Sequence, residues 1–176
     1  MITIRKAKEI DKSKLLKLVR RIEGSAKYED IIFPLPSLSE KEIDEYIQRG
    51  EAFIVNEKGT IISLVIVQKD VSSYFYPNSH DEGKLMEIVA KTDARMSEDM
   101  VALVFLGTDP MYRNKGIASS FLQYLEASFP RFLFLTSLDT SNQAGIEYLR
   151  KKGYKKVDLE EFEFSSVKQQ LLFKRT

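Results

Sequence analysis

The sequence predicts an α/β fold built on a mixed, mostly antiparallel sheet flanked by helices, with a parallel strand pair in its centre. Three observations carry this reading. The stretch "EAFIVNEKGTIISLVIVQK" sets two β-branched runs around "NEKG", a hairpin signal that gives two antiparallel strands. From Met100 onward the chain alternates strand, helix, strand, helix, which argues for a right-handed crossover and at least one parallel pair. No internal repeat, low-complexity tract or Gly/Pro/Ser-rich linker divides the chain, so residues 1–176 are read as a single domain.

Each element follows from its own residues. "ITIRKA" alternates like a short strand. In "DKSKLLKLVRRIEG" apolar residues recur at Leu15, Leu18, Val19 and Ile22, with Asp11 expected as the N-cap and Gly24 as the stop of an amphipathic helix. "AKYEDIIFPLPS" is broken by Pro34 and Pro36 and reads as loop. "SLSEKEIDEYIQRG" carries a capping box, Ser39 with Glu42, and ends at Gly50, so a second helix precedes the hairpin. Residues 70–99 read as an insertion: "SSYFYPNSHDEG" is loop-like and "KLMEIVAKTDARM" has helical spacing at Leu85, Ile88 and Val89. "MVALVFLG" and "RFLFLTSL" are strands, "KGIASSFLQYLEASF" and "NQAGIEYLRKKG" helices, and "YKKVD" and "QQLLFKR" complete the set as strands.

Composition bounds the function. In 176 residues, 43% are hydrophobic, with eleven Phe and eight Tyr, enough for a sizeable core. The 27 basic and 26 acidic residues leave a formal charge of +1, which gives no electrostatic case for wrapping nucleic acid or lying on an anionic membrane. Absence of cysteine excludes disulfides, thiolate metal sites and a Cys nucleophile. "MITIRKAKEI" lacks an apolar h-region, and the longest apolar runs are strand-sized, so the expectation is a cytoplasmic protein.

The stretch with the spacing of a chemical site is "YRNKGIASSFL", Tyr112 to Leu122, at a strand-to-helix turn after Pro110. A helix start presents unpartnered backbone N–H groups and the positive end of the dipole. Gly116 and Ala118 leave the approach open, and Arg113 and Lys115 add charge. Residues of this kind seat an anion, with phosphate the natural guest; an ordinary helix start with solvated cations is the plainer alternative.

The run Arg113-Asn114-Lys115-Gly116-Ile117-Ala118 resembles the R/Q-x-x-G-x-G/A signature of the GNAT superfamily of acyl-CoA-dependent N-acyltransferases. Leu106-Gly107-Thr108-Asp109-Pro110 before it resembles that family's L-x-V-x-P strand end, and Asn142 followed by Gly153-Tyr154 resembles its N…GF segment. The resemblance covers roughly Met100 to Val157, taken as the cofactor-binding half, and the earlier element order also agrees. It implies acetyl-CoA as co-substrate, its pyrophosphate on the backbone of Arg113, Asn114, Lys115, Gly116, Ile117 and Ala118, with the Ser119 hydroxyl as an extra donor. It implies that "MVALVFLG" splays from its parallel neighbour and pairs with pantetheine through Leu106 and Thr108. The Leu106 N–H would polarise the thioester carbonyl, and Asn142 would join the second strand to its helix near the cofactor.

The implied reaction is direct attack of an amine on the thioester. The family's frequent general-acid tyrosine sits four residues before the glycine of the GF pair, and that position is Leu149 here. Tyr148, one residue earlier, is the candidate acid, or it packs as the aromatic that usually precedes the catalytic one; one residue is about 100° around a helix. Asp109 and Asp139 lie past the two strands as possible bases, though a turn residue bonding its own backbone is the favoured reading of each. His80, the single histidine, reads as a loop residue, so a metal site or a Ser-His-Asp triad has little support.

Acceptor specificity is expected from "SAKYEDIIFPLPS" and from residues 71–99. There Tyr28, Phe33, Tyr74, Phe75 and Tyr76 offer an apolar wall, and Glu29, Asp30, Asp81 and Glu82 offer attraction for a cation; core filling and solvated acids are the alternative. The reading is an N-acetyltransferase acting, as a monomer or homodimer, on a small-molecule or peptide amine, without nucleic acid, membrane or metal. A non-catalytic acyl-CoA-binding sensor or interaction module, and a phosphate-binding protein outside the family, are the alternatives. Neither G-x-x-x-x-G-K-[ST] nor G-x-G-x-x-G is present.

Overall fold

The structure is a computed structural model, and it describes residues 2–25, 38–71, 100–157, 162–164 and 167–176. Its elements are β1 (Ile2–Lys6), α1 (Lys12–Ser25), α2 (Glu40–Gln48), β2 (Ala52–Glu57), β3 (Thr60–Gln68), β4 (Met100–Thr108), α3 (Ile117–Ser128), β5 (Leu133–Asp139), α4 (Gln143–Lys151), β6 (Lys155–Lys156), β7 (Phe162–Phe164) and β8 (Val167–Arg175). The hairpin expected at "NEKG" joins β2 to β3. Lys58 and Gly59 both have positive φ (48° and 87°), as a type I′ turn requires, and the Gly59 N–H donates to Asn56 Oδ1 at 2.9 Å.

The strands form one sheet in the order β1-β2-β3-β4-β5-β8-β6, with β7 paired to β8 off this path. Among the described strands, β4 and β5 are the parallel pair, and the other pairings are antiparallel. The mixed sheet with a central parallel pair is therefore as the sequence predicts. Its last strands are not: "YKKVD" pairs over only two residues, β7 was not foreseen, and β8 inserts between β5 and β6.

Each face of the sheet carries its own core. Leu15, Leu18, Val19 and Ile22 of α1, with Ile43 and Ile47 of α2, pack on one face against Ile54, Leu64, Ile66 and Phe105. Phe121, Leu122 and Leu125 of α3, with Ile146 and Leu149 of α4, pack on the other against Val65, Leu103 and Phe134. Each such fully buried side chain contributes about 1.5–3 kcal/mol.

Two expected helix signals differ. Asp11 does not cap α1: its carboxylate accepts two hydrogen bonds from the Arg5 guanidinium, at 2.7 and 2.9 Å, and one from the Lys8 N–H at 2.9 Å. The bidentate, charge-assisted pair takes the acceptor capacity that a cap would use. Gly24 does not stop α1, because it stays out of the left-handed region and the helix runs on to Ser25, whose Oγ donates to the Ile22 carbonyl. The capping box of α2 forms as expected, Ser39 Oγ accepting from the Glu42 N–H and Glu42 Oε2 from the Ser39 N–H; Gly50 (φ 65°) turns the chain after it. Most of the helix-linking loop, the helical spacing in "KLMEIVAKTDARM", His80, and the aromatic and acidic candidates near the acceptor lie outside the described residues.

Candidate functional site

The site begins with a mismatch in β4. Its pairing with β3 steps from Ile66↔Phe105 to Val67↔Leu103, so Val104 is an extra residue, a β-bulge that bends the strand. On the other side, pairing with β5 runs from Met100↔Leu133 only to Ala102↔Leu135. Past that point the Thr136 hydroxyl donates to the Leu103 carbonyl at 3.0 Å, and the two strands part. The splay implied by the resemblance is thus present, and the bulge is its local cause.

The second half of β4 therefore has one edge without a strand. The Asp109 N–H donates to the Ile62 carbonyl at 2.8 Å, which puts Asp109 in a hydrogen-bonded pair with β3. Alternation along an antiparallel pair then turns the backbone groups of Thr108 and Leu106 to the opposite edge, into the split.

At the end of β4, Asp109 caps a 3₁₀ turn, Pro110–Tyr112, by accepting from the Met111 N–H at 3.0 Å. Asn114 (φ 61°) and Gly116 (φ 76°) are left-handed, and this is the conformation that places Gly116 as N-cap of α3. A glycine cap has no side chain to satisfy the helix start. The first intrahelical bond comes from the Ser120 N–H to the Gly116 carbonyl, so the N–H groups of Ile117, Ala118 and Ser119 have no partner within α3. Nothing lies within 4 Å of where a Gly116 Cβ would stand.

A cavity of about 350 Å³ opens at this point. Leu106, Thr108, Arg113, Asn114, Gly116, Ile117, Ala118, Ser119 and Tyr148, all singled out from sequence, line it together. Lys115 and Asn142 do not. Lys115 Nζ lies over the Tyr112 ring, 4.8 Å from its centroid. Asn142 is the buried N-cap of α4, its Oδ1 accepting from the Gly145 N–H at 2.9 Å.

Sequence reasoning missed Ile22, Gly107, Tyr112, Ala144 and Gly145 as lining residues. Two carried a usable signal, since glycine inside a helix or strand weakens it and asks for a packing reason. A Cβ on Gly145 would stand 2.8 Å from Leu138 Cδ2 and 2.9 Å from Asn142 Oδ1; one on Gly107 would stand 2.7 Å from the Phe105 ring and 2.8 Å from Ile22 Cδ1. Arg21 was also missed: its Nε and Nη2 reach Asp109 Oδ2, each at 2.9 Å.

Of the proposed acids and bases, Tyr148 faces the cavity while Leu149 is fully buried in the core behind it. The Tyr148 hydroxyl is 3.2 Å from Ser119 Oγ. Burial pushes this phenol above its ordinary value, opposed by the Ser119 hydrogen bond and reinforced by the charge of Glu126. Asp109 is held by Arg21 and the Met111 N–H. Asp139 accepts from the Ser141 N–H at 2.8 Å, and neither aspartate lines the cavity. Among the described residues no group of His, Cys, Asp and Glu is arranged to hold a metal, and no helix is long and apolar enough to cross a membrane.

A mixed sheet split between its parallel strands, with an uncapped helix start facing the split, is the architecture of the GNAT class of fold. The profile of the acetyltransferase (GNAT) family matches residues 19–154, and the chain belongs to that family. A search of curated proteins finds no match. Solved structures do match. The ribosomal-protein-S18-alanine N-acetyltransferase of Escherichia coli is 16% identical with a TM-score of 0.64, covering 99% of this chain and 94% of its own. PaiA N-acetyltransferase of Thermoplasma acidophilum, in complex with coenzyme A, is 16% identical with a TM-score of 0.65, covering 100% and 99%. The polyamine N-acetyltransferase of Drosophila melanogaster is 13% identical with a TM-score of 0.63, covering 100% of both chains.

Proposed function

We propose that the protein is an N-acetyltransferase that moves the acetyl group of acetyl-CoA to a primary amine of a small molecule or peptide by direct attack. The observation that carries the reading is the conjunction of the left-handed Gly116 loop, three unpartnered N–H groups at the start of α3, and a vacated β4 edge, all on one cavity. The family's co-substrate fits these residues. The N–H groups of Ile117, Ala118 and Ser119 hold the pyrophosphate, with the charge of Arg113 beside them. Leu106 and Thr108 offer backbone donors and acceptors to the amide-bearing pantetheine arm.

The thioester supplies an activated acyl group, and the chain's part is to place it. The Leu106 N–H, aimed into the split, stabilises negative charge on the carbonyl oxygen as the amine nitrogen adds. The C–S bond then breaks, the new ammonium gives up a proton, and the thiolate takes one from water or an acid. Holding amine and carbonyl together supplies most of the rate. The similar structures include enzymes for a ribosomal-protein alanine and for polyamines, so the shared frame does not choose the acceptor.

Calorimetric titration with acetyl-CoA, with ATP and 3′-phospho-ADP as competitors, tests the reading. Binding that needs the pantetheine arm, followed by acetylation of a member of an amine library, is the expected result. Binding without turnover on any amine would favour the sensor reading, and no binding would remove both.

A further inference from the structure

Lys152 is the C-cap of α4, four residues past Tyr148, and its backbone N–H donates to the Tyr148 carbonyl at 3.2 Å, so the two side chains lie on one side of the helix end. Lys152 Nζ lies 5.6 Å from the Tyr148 ring centroid, within cation–π range. The other end of the ring carries the hydroxyl that meets Ser119, the third residue of α3. Tyr112, which lines the same cavity, likewise carries Lys115 on its ring. Among the described lining residues no carboxylate opposes these cations.

We infer that Tyr148, with Lys152 on its ring, belongs to the phosphate end of the acyl-CoA site and not to the sulfur end. The inference rests on the N-acetyltransferase reading and assigns these two side chains within it. Two hydroxyls bring two protons, and the bond between Tyr148 and Ser119 uses one of them. Whichever way that bond is oriented, one O–H remains to donate to a phosphate oxygen beside the α3 N–H groups. Burial keeps the phenol protonated, hence a donor, at neutral pH. Lys152 contributes charge at the same end, fixed by the ring it covers. Tyr148 and Ser119 then act as one hydroxyl pair that donates to the donor's phosphates, and Lys152 adds its charge beside them.

The test measures dissociation constants of CoA and of 3′-phospho-ADP, the phosphate-bearing half without the thiol arm, for wild type, Tyr148→Phe, Ser119→Ala and Lys152→Gln. Melting temperatures serve as the fold control. Tyr148→Phe and Ser119→Ala are expected to weaken both ligands in equal proportion, by about threefold to tenfold, the scale of one hydrogen bond. Lys152→Gln should weaken both by about twofold to fivefold, and the loss should shrink as salt rises. Affinity for 3′-phospho-ADP unchanged in Tyr148→Phe, or turnover lost with CoA affinity intact, would overturn the inference while leaving the acetyltransferase reading in place. Wild type that fails to bind CoA would overturn both.

Discussion

Gly116 shows how one residue's backbone decides a site. Its φ of 76° costs a residue with a Cβ about 1–2 kcal/mol, yet the space around it is open. Strain and obstruction can therefore be separated. Gly116→Ala is expected to lower stability by about 1 kcal/mol and to leave much of the CoA affinity. Gly116→Trp should add little further destabilisation but cover the N–H groups of Ile117, Ala118 and Ser119, abolishing binding. Thermal melts beside calorimetry check this, and CoA affinity retained in Gly116→Trp would remove the phosphate seat from this loop. Although an ordinary helix start has the same residues, the sequence pointed to this glycine because a glycine beside two cations at a strand-to-helix turn leaves room for an anion. It did not show Gly107 or Gly145 as lining residues, because what they make room for, the Phe105 ring, Ile22 and the Asn142 cap, comes from packing that only the folded chain brings together.

At the scale of elements, α1 is fastened to the exit of β4. Arg21 holds Asp109, Ile22 abuts Gly107, and Arg113 Nη2 donates to Ser25 Oγ at 3.4 Å. Asp109 has two structural duties, the ion pair and the cap on the Met111 N–H, and both anchor the loop that leads to Gly116. Asp109→Ala removes both and is expected to cost about 1–3 kcal/mol, while Asp109→Asn keeps the cap and should cost less. With Arg21 about half exposed, solvent screening limits the ion pair's own share to under about 1 kcal/mol. Chemical denaturation of the two variants orders these contributions. If Asp109→Asn instead kept its stability and lost turnover, Asp109 would be a base and not an anchor. Elements with local signatures were legible: the α2 capping box, the "NEKG" turn and the amphipathic stripe of α1. Asp11 was misread because a cap's backbone N–H competes with any stronger donor nearby, and Arg5 reaches Asp11 from β1; Gly24 was misread because it stays out of the left-handed region and the helix continues through it.

At the scale of the molecule, strand order was legible only in part. A parallel pair follows from strand–helix–strand, but the insertion of β8 between β5 and β6 rests on pairings across a long separation, such as Leu135↔Phe173 and Lys155↔Phe173. That closing strand seals the core around Tyr154, which is 3% exposed and whose hydroxyl has no hydrogen-bond partner among the described residues. Burial, with lesser contributions from Glu126 and Tyr148, pushes its phenol far above the ordinary value. Asp11 is displaced the other way, chiefly by the Arg5 hydrogen bond and against the cost of burial. The two groups act on opposite limbs of the pH–stability profile. Asp11, depressed in the fold, contributes stability above its unfolded value of about 3.9 that is lost as pH falls through its folded value. Tyr154, raised in the fold, contributes stability that is whole below about pH 10 and is lost above it, because the unfolded chain ionises there and the folded chain does not. Tyr154→Phe removes an unpartnered buried hydroxyl without opening a large cavity. It is expected to raise stability at neutral pH by about 1 kcal/mol and to flatten the alkaline limb while leaving the acid limb as it is. Denaturation midpoints from pH 3 to pH 11 would show both effects. A loss of stability at neutral pH would mean that the phenol has a partner in the fold, and an unaltered alkaline limb would mean that another group sets it.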